Sequence, residues 1–486
     1  MYTQTNFTTT ATIINADIYT PVGIYLRLRD KYRDVLLLES ADYTTQNNSY
    51  SFIAINALAG IQLNTTSILE YRTPLAEAKE ITTSSNSETI NYLELFVKSF
   101  IPTTKVIFPV SAAQGLFGYT SYNSVTLTED IDIKNDNQIP LMRFRFYQYV
   151  IAINHYKNEL TIIENHLPNL PSLLQKVYTH ITMQGVPQFP FSITNTETCN
   201  ITDEAYLAMV QQGIHHCNIG DVFQVVLSRR YSQQYLGDDF NVYRALRNIN
   251  PSPYLFYFDY GSYRLMGSSP EAQLVIKNNT ATIHPIAGTV RRTGDTVKDA
   301  EQATLLANDA KENAEHTMLV DLARNDLSRF CTNVQVTQYK HLQYYSHLIH
   351  MVSQVQGTII NASQIFSHLL QCFPTGTLSG APKVEAMHII NKLEKEARNY
   401  YGGAIGMIGF DGTVNMAILI RSFLSQNNTL QYQAGAGVVA ASTPSSELQE
   451  VNNKIGALRA AIIKLCVLKQ SVQLLKTLDT VKDHTS

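Results

Sequence analysis

Short apolar runs separated by polar turns dominate the first part of the chain. Clear cases are D-V-L-L-L-E-S (34–40), S-Y-S-F-I-A-I (49–55), G-L-F-G-Y-T-S-Y (115–122) and M-R-F-R-F-Y-Q-Y-V-I-A-I (142–153). The last alternates with period two and is rich in aromatic and β-branched residues, as a half-buried strand should be. A polar, proline-bearing stretch (184–198) is the expected boundary between an N-terminal region, 1–185, and a second region, 200–468, followed by a tail, 469–486. Past it, Thr202 with Asp203 and Glu204 predicts a helix start. Tyr206, Val210, Ile214 and Cys217 then recur at helical spacing up to Gly220. The strand D-V-F-Q-V-V-L-S (221–228) follows. Strands and helices mix without strict alternation, which predicts an α+β fold rather than a doubly wound sheet.

Composition narrows the class. Charged residues are 16% of the 486-residue chain, where about 25% is usual, and the net charge is −3. That balance lacks the basic footprint of sequence-independent nucleic-acid binding or of a membrane-surface protein. The five cysteines are scattered, with no C-x-x-C pair, which points away from a disulfide framework or zinc site and toward a reducing compartment. No signal-peptide pattern and no apolar run of the ~18 residues a membrane span needs is present, so the expectation is a cytoplasmic globular protein. There are 28 Tyr and 19 Phe, but no Trp.

Two helices carry carboxylates at the head of apolar stripes. In K-E-N-A-E-H-T-M-L-V-D-L-A-R-N-D-L (311–327), Glu312, Glu315, Leu319 and Leu322 share a face. The second helix is expected to start at Ser446, with Gln449 completing a capping box, and places Glu447, Glu450, Lys454 and Leu458 on one face. Together, Glu315 and Glu450 suit a hard cation, since Mg²⁺ is commonly held by one or two carboxylates plus substrate oxygens. Taken singly, each also fits a solvated Glu or an i, i+4 surface pair. The strand end Gly435-Ala436-Gly437 formally matches a dinucleotide fingerprint but opens no helix, so it predicts a close-approach turn for an anion. G-T-L-S-G-A-P-K (376–383) is a second such turn, with Pro382 suited to a helix start. Arg421 ends an apolar strand and calls for an anionic partner. His350, among apolar neighbours, reads by itself as a core histidine. The sum describes a Mg²⁺-dependent site for a small carboxylate-bearing anion.

The ordered motifs P-S-P-Y-L-F (251–256), G-S-S-P-E (267–271), P-I-A-G-T (285–289), A-E-H-T-M-L-V-D-L-A-R-N-D-L (314–327), G-T-L-S-G-A-P-K, Y-G-G-A-I-G (401–406) and Q-A-G-A-G (433–437) resemble the chorismate-utilising enzyme family, and within it the anthranilate synthase large subunits. The first part resembles them more weakly, through T-P-V-G-I-Y-L (20–26) and L-L-L-E-S (36–40). The resemblance implies antiparallel β-sheets flanked by helices and conversion of chorismate plus ammonia to anthranilate and pyruvate. It implies Glu315 and Glu450 as Mg²⁺ ligands, and Gly288, Thr289, Tyr401, Arg421, Gly435, Ala436, Gly437 and Lys454 as substrate contacts. Glu271 falls on the general-acid position, and His350 on a histidine of the pyruvate-eliminating step, which replaces the core reading given above. Isochorismate synthases carry a Lys base where this chain has Gln224, and aminodeoxychorismate synthases typically a Lys at Ala287. A non-catalytic chorismate-binding subunit is the remaining alternative, disfavoured because Glu271, Glu315 and Glu450 are all present. No cysteine lies in a glycine-flanked nucleophile turn, so a separate glutamine amidotransferase is the implied ammonia source. Ser40, Pro253, Tyr254 and Leu255 match the family's tryptophan feedback pocket. Two departures stand out: Ala441 where an Asp is frequent, and Ser49-Tyr50 in a stretch (47–52) lacking the usual basic residue.

Overall fold

The computed structural model describes residues 2–40, 49–136, 138–344 and 348–482; the side chains of Thr289 and of residues 466–482 are outside that description. Successive residues of the central strands point to different cores, which explains their near-continuous hydrophobicity. Leu37, Ile53, Ile55, Ile151, Leu255, Tyr257 and Phe423 enter one apolar cluster, packed with helices such as Asp203–Asn218 and Phe240–Ile249. Their neighbours Leu36, Ala54, Val150, Ala152, Phe256, Phe258 and Leu424 enter a second cluster, lined by strands, loops and the short 3-10 turn Val110–Ala113. Leu116, Ala404, Ile408 and Met416 face a third, shared with helices Asn86–Lys98, Ala310–Ser328 and Ile365–Gln371. The layers therefore run helix, sheet, sheet, helix, an α+β architecture as the sequence predicts.

One sheet follows Leu36–Glu39, Tyr254–Asp259, Tyr263–Ser269, Ser422–Gln426, Thr429–Val438 and Gln224–Gly237, each antiparallel to the next. The other follows Gly115–Thr120, Ala404–Gly409, Val414–Ile418, Ala272–Lys277, Thr280–Ile283 and Leu348–Ile359. Strands from both sides of the 184–198 stretch thus pair directly, and that stretch itself supplies Phe191–Ile193 to Tyr235–Gly237. The chain passes from the first sheet to the second between Ser269 and Ala272, and back between Ile418 and Ser422. These crossovers are bonded to each other, through Ile418 N–H to Glu271 O (3.0 Å) and Ser268 N–H to Arg421 O (3.1 Å).

The expected helix at Thr202 is present, its hydroxyl accepting from Ala205 N–H. The last helix begins earlier than expected, at Pro444, and runs to Lys482, through most of the anticipated tail. Proline suits the first helical position, and the Ser446 hydroxyl turns back to Thr443 O (2.8 Å) instead of capping. No helix among the described residues is long and apolar enough to cross a membrane.

A buried ion pair ties the first sheet to the glycine turns. Arg398 donates to both Glu394 oxygens (2.9 and 2.6 Å), to Leu378 O (2.6 Å) and to Val226 O (2.7 Å). Glu394 in turn accepts from Ser228 N–H and Oγ (2.8 and 2.7 Å). Burial pulls against the Arg398 charge, but Glu394 outweighs it and holds the guanidinium above its ordinary value. Removing one partner strands a buried charge, so Arg398→Met should cost about 3–5 kcal/mol, read as a lower urea midpoint. Arg398→Lys, charged but without the fork, should fall between.

Candidate active site

Glu271 and Arg421 occupy the two crossovers, where the regular strand geometry lapses. Arg421 has φ of 48°, a left-handed conformation costing a non-glycine residue roughly 1–2 kcal/mol. Such strain persists where surrounding structure over-determines it, frequently at functional sites. Its guanidinium reaches Asn250 Oδ1 (3.4 Å), and no carboxylate lies within ion-pair distance among the described residues. Burial lowers its pKa, which the nearby Glu271 partly counters.

Glu271 is buried, and desolvation pushes its pKa from 4.5 up to about 8. Thr377 Oγ1 donates to its two oxygens (3.2 and 3.4 Å), and this bond, Arg421 and Lys454 pull in the other direction. At neutral pH the carboxyl holds its proton, as a general acid must.

His350 lies in Leu348–Ile359, opposite Thr289 on Ile286–Arg291. Burial, then the charge of Arg421, lowers its pKa to about 4, against a hydrogen bond at the Gly288 backbone. The imidazole is therefore neutral. Gly288 has φ of 74°, and a Cβ there would sit 2.6 Å from Leu306 Cδ1 and 3.2 Å from Glu312 Oε2. Glycine lets this strand pass against the carboxylate helix.

Across the site, Gln224 opens its strand beside Gly437; a Cβ on Gly437 would come 2.3 Å from Gln224 Nε2. Gln224 Nε2 donates to Glu315 Oε1 (3.2 Å), while the buried Gln224 Oε1 has no hydrogen-bond partner among the described residues. Lys454 Nζ donates to Gly435 O (2.9 Å) and pairs with Glu450 (2.7 Å), both side chains being 45% exposed. The i, i+4 pair foreseen as the ordinary alternative is thus formed, yet Lys454 also reaches the glycine strand. The buried Tyr401 hydroxyl meets the Gly435 backbone. Ala436 points the other way, into the core beneath the helices, so it offers the site only its backbone.

Glu312 and Glu447 join the two expected metal ligands. The Glu312 pKa is raised by burial, then by Glu315 and Asp309, with Glu450 adding to it. That of Glu447 is raised by burial and also feels Glu450. Carboxylates from helices Ala310–Ser328 and Pro444–Lys482 thus crowd one region, an all-oxygen set that suits a hard cation. No cluster of three or more His, Cys, Asp or Glu is arranged to cage a metal among the described residues, so a bound Mg²⁺ would draw further ligands from substrate or water. Glu312 and Glu447 are expected on the same faces as Glu315 and Glu450 but not as ligands, and Thr377 carries no expected role. For the glutamates, their position one turn before Glu315 and Glu450 was the available signal.

The residues expected to form a feedback pocket are also contiguous. Glu39 pairs with Leu255 in register, which brings Ser40 beside Pro253 and Tyr254. Asn47 and Asn48, where a basic residue was sought, lie outside the described residues; Ser49 is buried, and Tyr50 Oη accepts from Asn154 Nδ2 (2.7 Å). Ala441 is exposed in the turn before the last helix.

A family model described as chorismate binding enzyme matches residues 35–460, and the chain belongs to that family. It is similar to anthranilate synthase component 1 of Aquifex aeolicus, 33% identical over 476 residues and 92% of each chain. That of Thermus thermophilus is 33% identical over 459 residues, 92% of this chain and 96% of the relative. The crystal structure of anthranilate synthase component I from Streptococcus pneumoniae gives a TM-score of 0.74 at 31% identity, over 92% of this chain and 98% of that one. The menaquinone-specific isochorismate synthase of Escherichia coli shares the fold, with a TM-score of 0.70 at 17% identity over 95% and 96%.

The Thr377 bond favours the ionised form of Glu271. Thr377→Val should therefore raise the Glu271 pKa further above about 8, as a carbon-13 NMR titration of labelled carboxyls would register.

Proposed function

We propose that this chain is the large subunit of an anthranilate synthase, converting chorismate and ammonia to anthranilate and pyruvate in tryptophan biosynthesis. The observation that carries the reading is the protonated Glu271 facing Arg421 and Lys454, with an amide, Gln224, and not a lysine opposite. Chorismate bears two carboxylates; Arg421, Lys454 and the backbone of Gly288-Thr289 and Gly435–Gly437 would neutralise and orient them, with Tyr401 as a wall. Glu271 gives its proton to the ring hydroxyl, which departs as water as ammonia adds through its lone pair, and the ring ammonium so formed returns a proton to the Glu271 carboxylate. Ammonia arrives as a neutral nucleophile and needs no base. The unpartnered Gln224 Oε1 suits an acceptor for one of its N–H bonds. The neutral His350 imidazole, held at the Gly288 backbone, fits proton transfer during pyruvate loss.

Glu315 and Glu450 would hold Mg²⁺, which when bound supplies positive charge for a substrate carboxylate. Burial pushes the thiols of Cys217, Cys331 and Cys372 up, so these are poor nucleophiles. Ammonia would accordingly come from a separate glutamine amidotransferase subunit, with free ammonia as a substitute. Ser40 with Pro253–Leu255 would form a tryptophan feedback site.

Purified chain with chorismate, Mg²⁺ and ammonium should produce anthranilate, followed by its fluorescence against a protein that has no Trp. Binding without product would leave only a non-catalytic subunit, and isochorismate in its place would refute the role of Gln224. Activity should fall as pH rises through the Glu271 pKa of about 8, because the acid form is lost. Free ammonia increases over the same range, so the fall is read at fixed ammonia rather than fixed ammonium. Glu315→Ala should abolish Mg²⁺-dependent turnover with the circular dichroism unchanged, and His350→Met should let the aminated intermediate accumulate.

A further inference from the structure

Directly after Glu271, strand Ala272–Lys277 breaks register with its neighbour. Ala272 faces Ala417 and Leu274 faces Met416, so Gln273 is an extra, bulged residue. Bulges re-aim the side chain they carry. Gln273 is only 3% exposed, yet neither its Oε1 nor its Nε2 has a hydrogen-bond partner among the described residues. Buried amides are ordinarily satisfied, and an exception calls for an explanation. Gln273 lines a cavity of about 20 Å³ with Glu271, Asp326, Cys372, Thr375 and Thr377. One water needs roughly 10–15 Å³ by such a measure and two to four polar partners. The cavity is too small for a substrate and polar enough for a water.

We propose that Gln273 holds a buried water against the Glu271 carboxyl and so acts as a positioning residue for the proton donor. This rests on the reading of Glu271 as general acid. The water accepts from Gln273 Nε2 and keeps its hydrogens for oxygens, one of them on Glu271. No proton leaves it. When Glu271 has given its own proton to the departing hydroxyl, the carboxylate receives one hydrogen bond from Thr377 and a second from this water. The charges around it are Arg421 and Lys454 on the substrate side, and Asp326 paired with Lys383 (2.7 Å) across the cavity. The Cys372 thiol, also there, is pushed up by burial and is uncharged.

Gln273→Met keeps the bulk and removes both polar atoms. In the full chain assayed with ammonia, kcat should fall about tenfold with little change in KM, and the alkaline limb of the pH profile should move up by about one unit. Thermal stability should hold, because methionine fills the same space; a merely structural glutamine would lose stability and leave the limb in place. A crystal structure of the wild-type chain at a resolution that shows ordered water should place one within about 3.2 Å of both Gln273 and Glu271. That measurement stands even if the variant does not fold. Wild-type kcat with an unmoved limb in Gln273→Met, or a wild-type cavity without the water, overturns the proposal. Glu271→Gln separates the two readings: full activity there with the water present refutes the general acid alone, whereas an inactive Glu271→Gln beside an unaffected Gln273→Met refutes the water alone.

Discussion

The Arg398–Glu394 pair is the constraint on which the site depends. It replaces missing ladder bonds along the Gln224 strand, with Arg398 taking Val226 O and Glu394 taking Ser228 N–H. The same guanidinium fixes Leu378 O in the turn that carries Thr377. One buried fork therefore sets both the Gln224 side and the Glu271 side of the pocket. Such a pair is weak evidence for net stability, since desolvation offsets most of the attraction. Its value lies in geometry, because a bidentate Arg cannot rotate without losing several bonds at once.

The second organising feature is the double crossover between sheets. Two of the chain's passages between the sheets lie side by side, at Ser269–Ala272 and at Ile418–Ser422. Glu271 and Arg421 sit at those passages, one a buried acid and the other a strained cation, and main-chain hydrogen bonds lock the passages together. Burial raises the acid's pKa and, with the charge of Arg421, lowers that of His350, so desolvation is the largest influence favouring the neutral form of both. The carboxylates of two helices close the remaining side, where their mutual repulsion favours a cation.

Much of the fold was legible in the chain. Period-two runs located the strands, and the capping signals at Thr202 located a helix, because those patterns depend on local geometry. Boundaries were less so: Pro444 rather than Ser446 begins the last helix, since Ser446 bonds to Thr443 instead. The pairing of strands across the 184–198 stretch has no local signature at all. Within the site, motif residues were identifiable one by one, and Glu312 and Glu447 shared faces with Glu315 and Glu450, but Thr377 read as an ordinary turn residue until the folded chain placed it against Glu271.

What the sequence determined alone was chemical: which acids, bases and glycines exist, at what spacing, and that Trp, a nucleophilic cysteine turn and the family's two lysines are absent. These are properties of covalent order and need no folding to be read. What only the tertiary structure decided was protonation and proximity. A carboxyl is an acid or a carboxylate according to the solvent it has lost, and Glu271 loses it through residues distant along the chain. Likewise, whether Gln273 faces solvent or a polar cavity follows from one register shift against Val414–Ile418, which periodicity along a single strand does not encode.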